Sequence, residues 1–571
     1  MSVSAPWLKH YGNVPKTLDY PDCSMVELVL RTAEKCPETA ATEFFGCALT
    51  YRAFAGAVDA CARALAAHGI KPGDRVTICM PNTPQAVVMF YAINRVGAVA
   101  NMVHPLSAEE EIVFFINSSK SVAALTLHQF YPKFEAILKR TCLNTLILAG
   151  IDDGLAGLKR PLYGVTKGRK IKRVKSGGQL IRWSDFIKNG QSCAGSYIVP
   201  GKGNDVAAVL YSGGTSGRTK GILLTNLNFN ALAMQTVAAG NCIVPGHIML
   251  AIMPIFHGFG LGVCIHTALI SGITANLVPQ FSVKSYAELL KKVRPHYIAG
   301  VPTLFEALLR LDSLDGFNLS QLEGVFSGGD SLSVELKRKV DAFLKAHGAS
   351  VQIREGYGLT ESVTANCLTP KDFFKEGSIG IPYPDMFFKI VRPGTQEAVP
   401  SGELGEICLS GPSVMKGYMD NPEETASTLQ THGDRRVWLH TGDLGAMDEE
   451  GFVYFRQRLK RMIVSSGYSI YPSQIENAIE AHEKVLTSCV IGVPDPYKIQ
   501  KVKAYVVLRD GMEATAEIKA SILEHCAKNI AKYAMPYEIE YREALPKTLV
   551  GKVAYTVLEQ EEAEKQKASG E

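Results

Sequence analysis

A chain of 571 residues, 46% apolar and 20% charged, is far beyond the size at which one hydrophobic core keeps growing, so a large body with at least one further domain is expected. A net charge of +4 is too diffuse on this length to favour nucleic acid as a partner and points to small molecules. The thirteen cysteines fall singly, with no CxxC pair and no metal-ligand spacing to His, which argues against a disulfide framework and suits reduced thiols in a cytoplasm.

The first residues, "MSVSAPWLKHYGNVPK", carry no apolar run ahead of a cleavage site, so no secretory signal is read. Residues 50 to 125 alternate two patterns. "YRAFAGAVDACARALAAHG" has small and apolar residues at helical spacing, "DRVTICM" is a short apolar strand, and "PQAVVMFYAINRVGAVANMV" repeats the pair. Such alternation predicts crossover units on parallel sheet. Lys159 to Lys175 is basic, with Gly and Pro mixed in. It reads as a solvated surface segment, with peripheral contact to an anionic membrane or to nucleotide phosphate as the other reading.

"LYSGGTSGRTKG", Leu210 to Gly221, lacks the spacing of a P-loop but shares its physics. Gly213, Gly214 and Gly217 free the backbone to approach oxygen anions, Ser212, Thr215 and Ser216 offer hydroxyls, and Lys220 brings a mobile positive charge. From Gly221 to Val283 there is no Asp, Glu, Lys or Arg. A membrane-spanning helix needs about 20 predominantly apolar residues, and "NLNFN", Pro245, Pro254 and Asn276 interrupt this run. A buried α/β core is expected instead, and a core without charges can also wall an apolar pocket.

"EGYGLTE", Glu355 to Glu361, follows a strand-like "VQIR". It offers an aromatic ring for a base, a hydroxyl, and a carboxylate of the type that holds Mg2+. From about Gly380 short strand-like runs, "FFKIV", "GEICLSG" and "FVYF", alternate with turns. "LHTGDLG" sets Asp443 beside a tight-turn glycine, suited to accepting hydrogen bonds from ribose hydroxyls. From Arg458 a smaller αβ unit of about 110 residues is expected, with strands "SCVIGV" and "KAYVVL" and the helix "EIKASILEHCAKNI". "LPKTLVGKV" places Lys552 just after a glycine, and the tail, 559–571, is polar and expected to be disordered.

Taken in order, "YSGGTSGRTKG", "EGYGLTE", "GELGEICLSGPSVMKGYMDNPEET", "HTGDLG", "RLKRMIVSSGYSIYPSQIE" and "PKTLVGK" resemble the motifs of the adenylate-forming superfamily of acyl-CoA synthetases, adenylation domains and firefly luciferase. The resemblance runs from "LTYRAFAGAV" to Lys552. It implies an α/β fold in which a large N-terminal domain, 1–457, has two αβ subdomains plus a β-barrel. A small mobile αβ C-terminal domain, 458–571, then swings about a hinge near Lys460. It also implies two half-reactions: ATP and Mg2+ convert a carboxylic acid to acyl-AMP and pyrophosphate, and coenzyme A then displaces AMP to give a thioester. A stand-alone ligase that loads a carrier protein is the alternative among enzymes, and a nucleotide-binding protein without adenylation is the alternative outside them.

On the family pattern, the loop from Ser212 to Lys220 cradles the β- and γ-phosphates, Glu361 holds Mg2+ and Thr360 contacts the α-phosphate. Within Gly356, Tyr357, Gly358 and Leu359, the Tyr357 ring stacks on adenine, and Ser327, Gly328, Gly329 and Asp330 line its edge. Asp443 and Arg458 bind ribose, Lys552 bridges the carboxylate and the α-phosphate, and Gly467 lines the coenzyme A channel. The implied substrate pocket comprises His257, Gly258, Gly260, Gly300, Val301 and Pro302, its glycines leaving room for a bulky group; His257 by itself, a lone His on an apolar stretch, reads more readily as a core residue. The chain departs from the pattern at Gly213 (usually Ser), Thr219 (usually Pro), Arg461 (commonly Asp) and Ile499-Gln500 (often Gly-Glu). With no carboxylate between Gly221 and Val283 to pair a substrate ammonium, an acid with an uncharged fatty, aromatic or alicyclic tail is expected.

Overall fold

The computed structural model describes residues 5–157, 159–171, 174–193, 195–212, 219–311, 314–465, 468–548 and 552–569. The crossover units start as the sequence pattern requires. Thr50 accepts a hydrogen bond from the Ala53 N–H to cap the helix Tyr51–Ala67, and Thr83, followed by Pro84, caps Pro84–Arg95 through the Ala86 N–H. The second helix is buried almost all round between neighbouring elements, as a helix apolar on every face must be.

Among the described residues, two large sheets form the N-terminal body. One contains eight strands, with Val206–Ser212 and Lys220–Thr225 paired antiparallel at one side and the parallel strands Val99–Met102, Arg75–Cys79, Ala123–Leu127 and Thr145–Ala149 continuing from them. The other contains nine, with a parallel centre of Thr274–Leu277, Ile248–Ala251, Tyr297–Gly300, Gly324–Ser327 and Ile353–Tyr357. Ser212, Gly300, Ser327 and Tyr357 each end a strand. Parallel sheets bind ligands beyond the carboxyl ends of their strands, so the topology gathers four of the expected motifs at such ends.

The run without charges is core. It forms the helix Asn226–Gly240, the strand Ile248–Ala251, a π-helix over Phe259–His266 and the strand Thr274–Leu277, the π-helix and the last strand wholly buried and the first helix partly so. Its polar residues are cross-links. Asn226 Oδ1 accepts from the Met25 N–H and from Asn94, Asn228 donates to the carbonyls of Pro412 and Val414, and His266 lies between the Tyr91 hydroxyl and Asn230. Among the described residues no helix is long and apolar enough to cross a membrane.

The "FFKIV", "GEICLSG" and "FVYF" runs become antiparallel strands of a five-stranded sheet, an open half-barrel in place of the expected barrel. A fourth sheet follows. Its long hairpin, Val485–Asp495 with Ile499–Leu508, packs the helices Pro472–Glu480 and Ala516–Asn529 around Ile475, Val490, Val506 and Ile522. The tail expectation is corrected: Tyr555–Ser569 is a helix. Leu558 and Glu562 are buried, and the Glu562 carboxylate accepts from Lys503 at 2.9 Å and from the Tyr505 hydroxyl at 3.0 Å. A polar composition hid a helix docked through Leu558 and a buried carboxylate, whose partners lie in the hairpin.

Two departures from the family pattern have local structural accounts. Arg461 is paired with Glu476 of the helix Pro472–Glu480, donates to the Val490 carbonyl at 3.3 Å and lies 5.0 Å from the Tyr555 ring centre, so the reversed charge carries its own counter-ion. Ile499, one of the positions noted above as a departure from the family pattern, sits at φ +71° with an exposed side chain. A β-branched residue in that region is strained by roughly 1–3 kcal/mol. Ile499→Gly is therefore expected to raise stability by about 1 kcal/mol after the unfolded-state entropy of glycine is set against the relief; a lowered denaturant midpoint would contradict the strain.

Candidate active site

The strand ends bring the motifs to one place. Ser212 Oγ lies 3.5 Å from Glu361 Oε1, and the Tyr418 hydroxyl donates to the same oxygen at 3.0 Å. A carboxylate with two hydroxyl oxygens is the oxygen-only donor set a hard divalent cation takes. Thr360 and Glu361 lie on a short 3-10 turn, Thr360–Ser362, whose next residue, Val363, has φ +66° and ψ −61°. With the Thr364 N–H bonded to the Ser362 carbonyl at 2.8 Å, this is a strained γ-turn. Gly213, Gly214, Thr215, Ser216 and Gly217 of the expected phosphate loop, and Gly467 of the channel, lie outside the described residues. Lys220 opens the strand Lys220–Thr225 and is ion-paired with Glu424.

The nucleoside side is built on the half-barrel. Asp443 and Arg458 are cross-strand partners, with Arg458 Nε 3.5 Å from Asp443 Oδ1. Tyr357 donates its hydroxyl to Asp443 Oδ2 at 2.7 Å. Among the described residues, buried Oδ1 accepts no hydrogen bond beyond the loose Arg458 contact, and the buried hydroxyl of Ser327 has no hydrogen-bond partner. Unmatched buried acceptors are costly unless something fills them; a ribose hydroxyl pair supplies the missing donor, so the residues fit a nucleoside. Burial pushes the Asp443 carboxyl up, and Arg458 opposes the shift.

Lys552 reaches this cluster from the far end of the chain. A carbon added at Gly329 Cα would lie 3.6 Å from Lys552 Cε, and the ammonium is in electrostatic reach of Asp330, Arg458, Asp443, Glu361 and His257. Burial holds it below the usual lysine range, against the pull of Asp330. His257 accepts from the Phe259 N–H on Nδ1 at 3.2 Å, and burial, helped by Lys552, pushes its imidazole down to about 3. It is a neutral group with its proton on Nε2 at the edge of the site.

The glycines of the expected pocket do different work from the one assigned to them. A side chain on Gly258 would start 1.7 Å from the Val363 carbonyl oxygen, and one on Gly260 would start 2.1 Å from that of Pro254. Backbone fills that space, so these residues permit close approach and leave no room. At Gly300 the nearest atom is the Leu304 side chain, and Val301 and Pro302 lead into the helix Pro302–Leu308. Lys460 falls in the short turn Leu459–Arg461 after Arg458, where a hinge was expected.

Two further groups hold the site and had no distinctive local signal. Asn82 clamps the segment ahead of His257, donating to the carbonyls of Ala251 and Met253 and accepting from the Ile255 N–H. Glu406, inside the quoted "GELGEIC", accepts from the Gly442 N–H at 3.0 Å and bonds His440, fixing the turn that carries Asp443.

The sequence profile of the AMP-binding enzymes matches residues 29–419, and that of their C-terminal domain matches 474–552. The chain belongs to the AMP-binding enzyme family. This AMP-binding enzyme is 33% identical to the long-chain-fatty-acid–CoA ligase of Bacillus subtilis, over 99% of both chains. It is 31% identical to the long-chain-fatty-acid–CoA ligase of Salmonella typhimurium, over 96% of both. Among solved structures it resembles ATP-bound MatB from Rhodopseudomonas palustris, with a TM-score of 0.80 and 25% identity across 94% of this chain and 98% of that one. It is an adenylate-forming acid–thiol ligase that acts on a carboxylic acid with ATP, Mg2+ and coenzyme A.

Proposed function

We propose that the acid is a long-chain fatty acid and that the residues gathered above divide the work as follows. The observation that carries the substrate is the end-to-end likeness to the long-chain-fatty-acid–CoA ligase of Bacillus subtilis. The run without charges, 221–283, whose strands and π-helix are mostly buried, supports it, since a charged tail would be left unpaired there.

In the first half-reaction a carboxylate oxygen attacks the α-phosphorus, the bond to the bridging oxygen breaks, and pyrophosphate leaves. A carboxylate is a weak nucleophile approaching an anion, so positioning and charge neutralisation supply the rate. Tyr357, with Ser327 to Asp330, holds the base, and Asp443 and Arg458 hold the ribose. Lys552 brings its ammonium between the incoming carboxylate and the α-phosphate, with Thr360 beside them. Lys220, with the loop 213–217, draws the leaving pyrophosphate. Glu361, helped by Ser212, holds Mg2+, whose charge when bound offsets that of the polyphosphate. Neutral His257 orients the carboxylate at the mouth of the acyl site without adding charge. In the second half-reaction the coenzyme A sulfur attacks the acyl carbon and AMP leaves.

The division at 457/458, with rotation at Lys460 delivering Gly467 to the thiol channel, belongs to the same proposal. The separate core around Ile475, Val490 and Val506 supports it. Thirteen free cysteines support a cytoplasmic home.

The test is a panel of short-chain, long-chain, aromatic and dicarboxylic acids scored by pyrophosphate release, with coenzyme A or a holo-carrier protein as the thiol. Acid-dependent release is expected, greatest with long chains, with thioester formed on coenzyme A. A preference for aromatic or dicarboxylic acids would overturn the substrate, and acylation of the carrier alone would overturn the acceptor.

A further inference from the structure

The segment "GYMDNPEET" lies directly on the start of the strand Lys220–Thr225. Gly417 and Tyr418 pair antiparallel with Leu223 and Ile222. Asn421 then caps the helix Pro422–Thr428, accepting from the Glu424 N–H at 3.1 Å, and Thr425 ties the turn back by accepting from the Tyr418 N–H at 2.9 Å. This local wiring delivers two side chains to Lys220. Glu424 takes the ammonium in an ion pair, and the Tyr418 ring lies beneath it with its centre 4.9 Å from Nζ. The Tyr418 hydroxyl, on the other side, donates to Glu361 at 3.0 Å. A carboxylate, an ammonium, a phenol and a second carboxylate thus form one chain of contacts.

We propose that Glu424 is a positioning residue that competes with pyrophosphate for Lys220. The inference rests on the reading of Lys220 as the clamp on the leaving phosphates. The Lys220 side chain is 15% exposed and that of Glu424 38%, so the pair stands at the rim of the site, where phosphate oxygens and the Glu424 carboxylate seek the same ammonium. Partly exposed ion pairs are weak, so Glu424 does not block MgATP. It lowers the affinity of the clamp several-fold and takes the ammonium back as pyrophosphate departs. Tyr418 keeps Lys220 on this line by stacking, and its bond to Glu361 couples the clamp to the carboxylate proposed for Mg2+.

Titration calorimetry of the whole protein with magnesium pyrophosphate tests this without turnover. Glu424→Gln is expected to tighten pyrophosphate about fivefold and to lower the KM for ATP with little change in kcat. Glu424→Asp, which keeps the charge, should stay within about twofold of the native protein. Glu423→Gln removes an equal charge one residue away on the exposed side and should move neither quantity by more than about twofold. In a Lys220→Ala background Glu424→Gln should have no effect, since it acts through that lysine. Unchanged or weaker pyrophosphate binding in Glu424→Gln would overturn the proposal, as would an equal effect of Glu423→Gln or persistence of the effect without Lys220. If Lys220→Ala alone leaves pyrophosphate affinity intact, the clamp reading itself falls; if it weakens binding while Glu424→Gln does nothing, only the role of Glu424 falls.

Discussion

Lys552→Ala is expected to lower acyl-adenylate formation by about 10²–10³-fold, the loss seen when one preorganised charge partner of a transition state is removed, while thioester formation from supplied acyl-AMP falls less than about threefold. The asymmetry follows from where the lysine stands. Its side chain lies beside Gly329, and its ammonium is within electrostatic reach of Asp330, Arg458, Asp443, Glu361 and His257, a setting that suits the proposed bridge between a carboxylate and the α-phosphate. Once acyl-AMP exists that contact has done its work. Burial has removed much of the ammonium's hydration, and the cost is recovered only when two anions converge on it. Pre-steady-state pyrophosphate release and coenzyme A acylation from synthetic acyl-AMP, measured on the same variant, separate the two steps. Equal losses in both would contradict the role. Gly467→Leu should show the opposite asymmetry on the family pattern.

Gly258→Ala should be at least as damaging, by a different route. The new methyl would start 1.7 Å from the Val363 carbonyl oxygen, and no rotamer can relieve a clash between a Cβ and backbone. Val363 is already at φ +66°, fully buried, in the γ-turn that follows Thr360 and Glu361. A turn held in a strained conformation persists only because its surroundings leave it nowhere else to go. Pushing the Val363 carbonyl away releases that constraint and moves Glu361 with it. A loss of about 3 kcal/mol or more is expected, at the upper end of overpacking effects. It should appear as a lowered denaturant midpoint, with ATP-dependent activity reduced even in the fraction that remains folded. A variant with a native midpoint and native activity would mean that the two segments do not bear on each other.

Much of the fold was legible because its signals are local. The helical spacing of "YRAFAGAVDACARALAAHG" becomes the helix Tyr51–Ala67, and "DRVTICM" becomes the strand Arg75–Cys79. The polar interruptions "NLNFN" excluded a membrane span for the right reason, since each asparagine is spent on a buried cross-link. Ser212, Gly300, Ser327 and Tyr357, taken from separate motifs, come together because parallel strands present their carboxyl ends on one side.

Composition and spacing alone indicated an α/β protein with a large body and a second unit and an uncharged run belonging to the core, while the chemistry of phosphate and nucleoside came from the ordered motifs and the family they resemble. Tertiary structure decided the rest. Glycine at 258 or 260 reads as free space until the opposing backbone is seen to fill it, and the tail reads as disordered until Lys503, 59 residues earlier, is found beneath Glu562. Lys220 and Glu424 are separated by 204 residues, and Lys552 comes beside Gly329 from further still along the chain. Charges, closely packed backbones and unmatched acceptors act over a few ångströms in space, a proximity that only the folded chain creates.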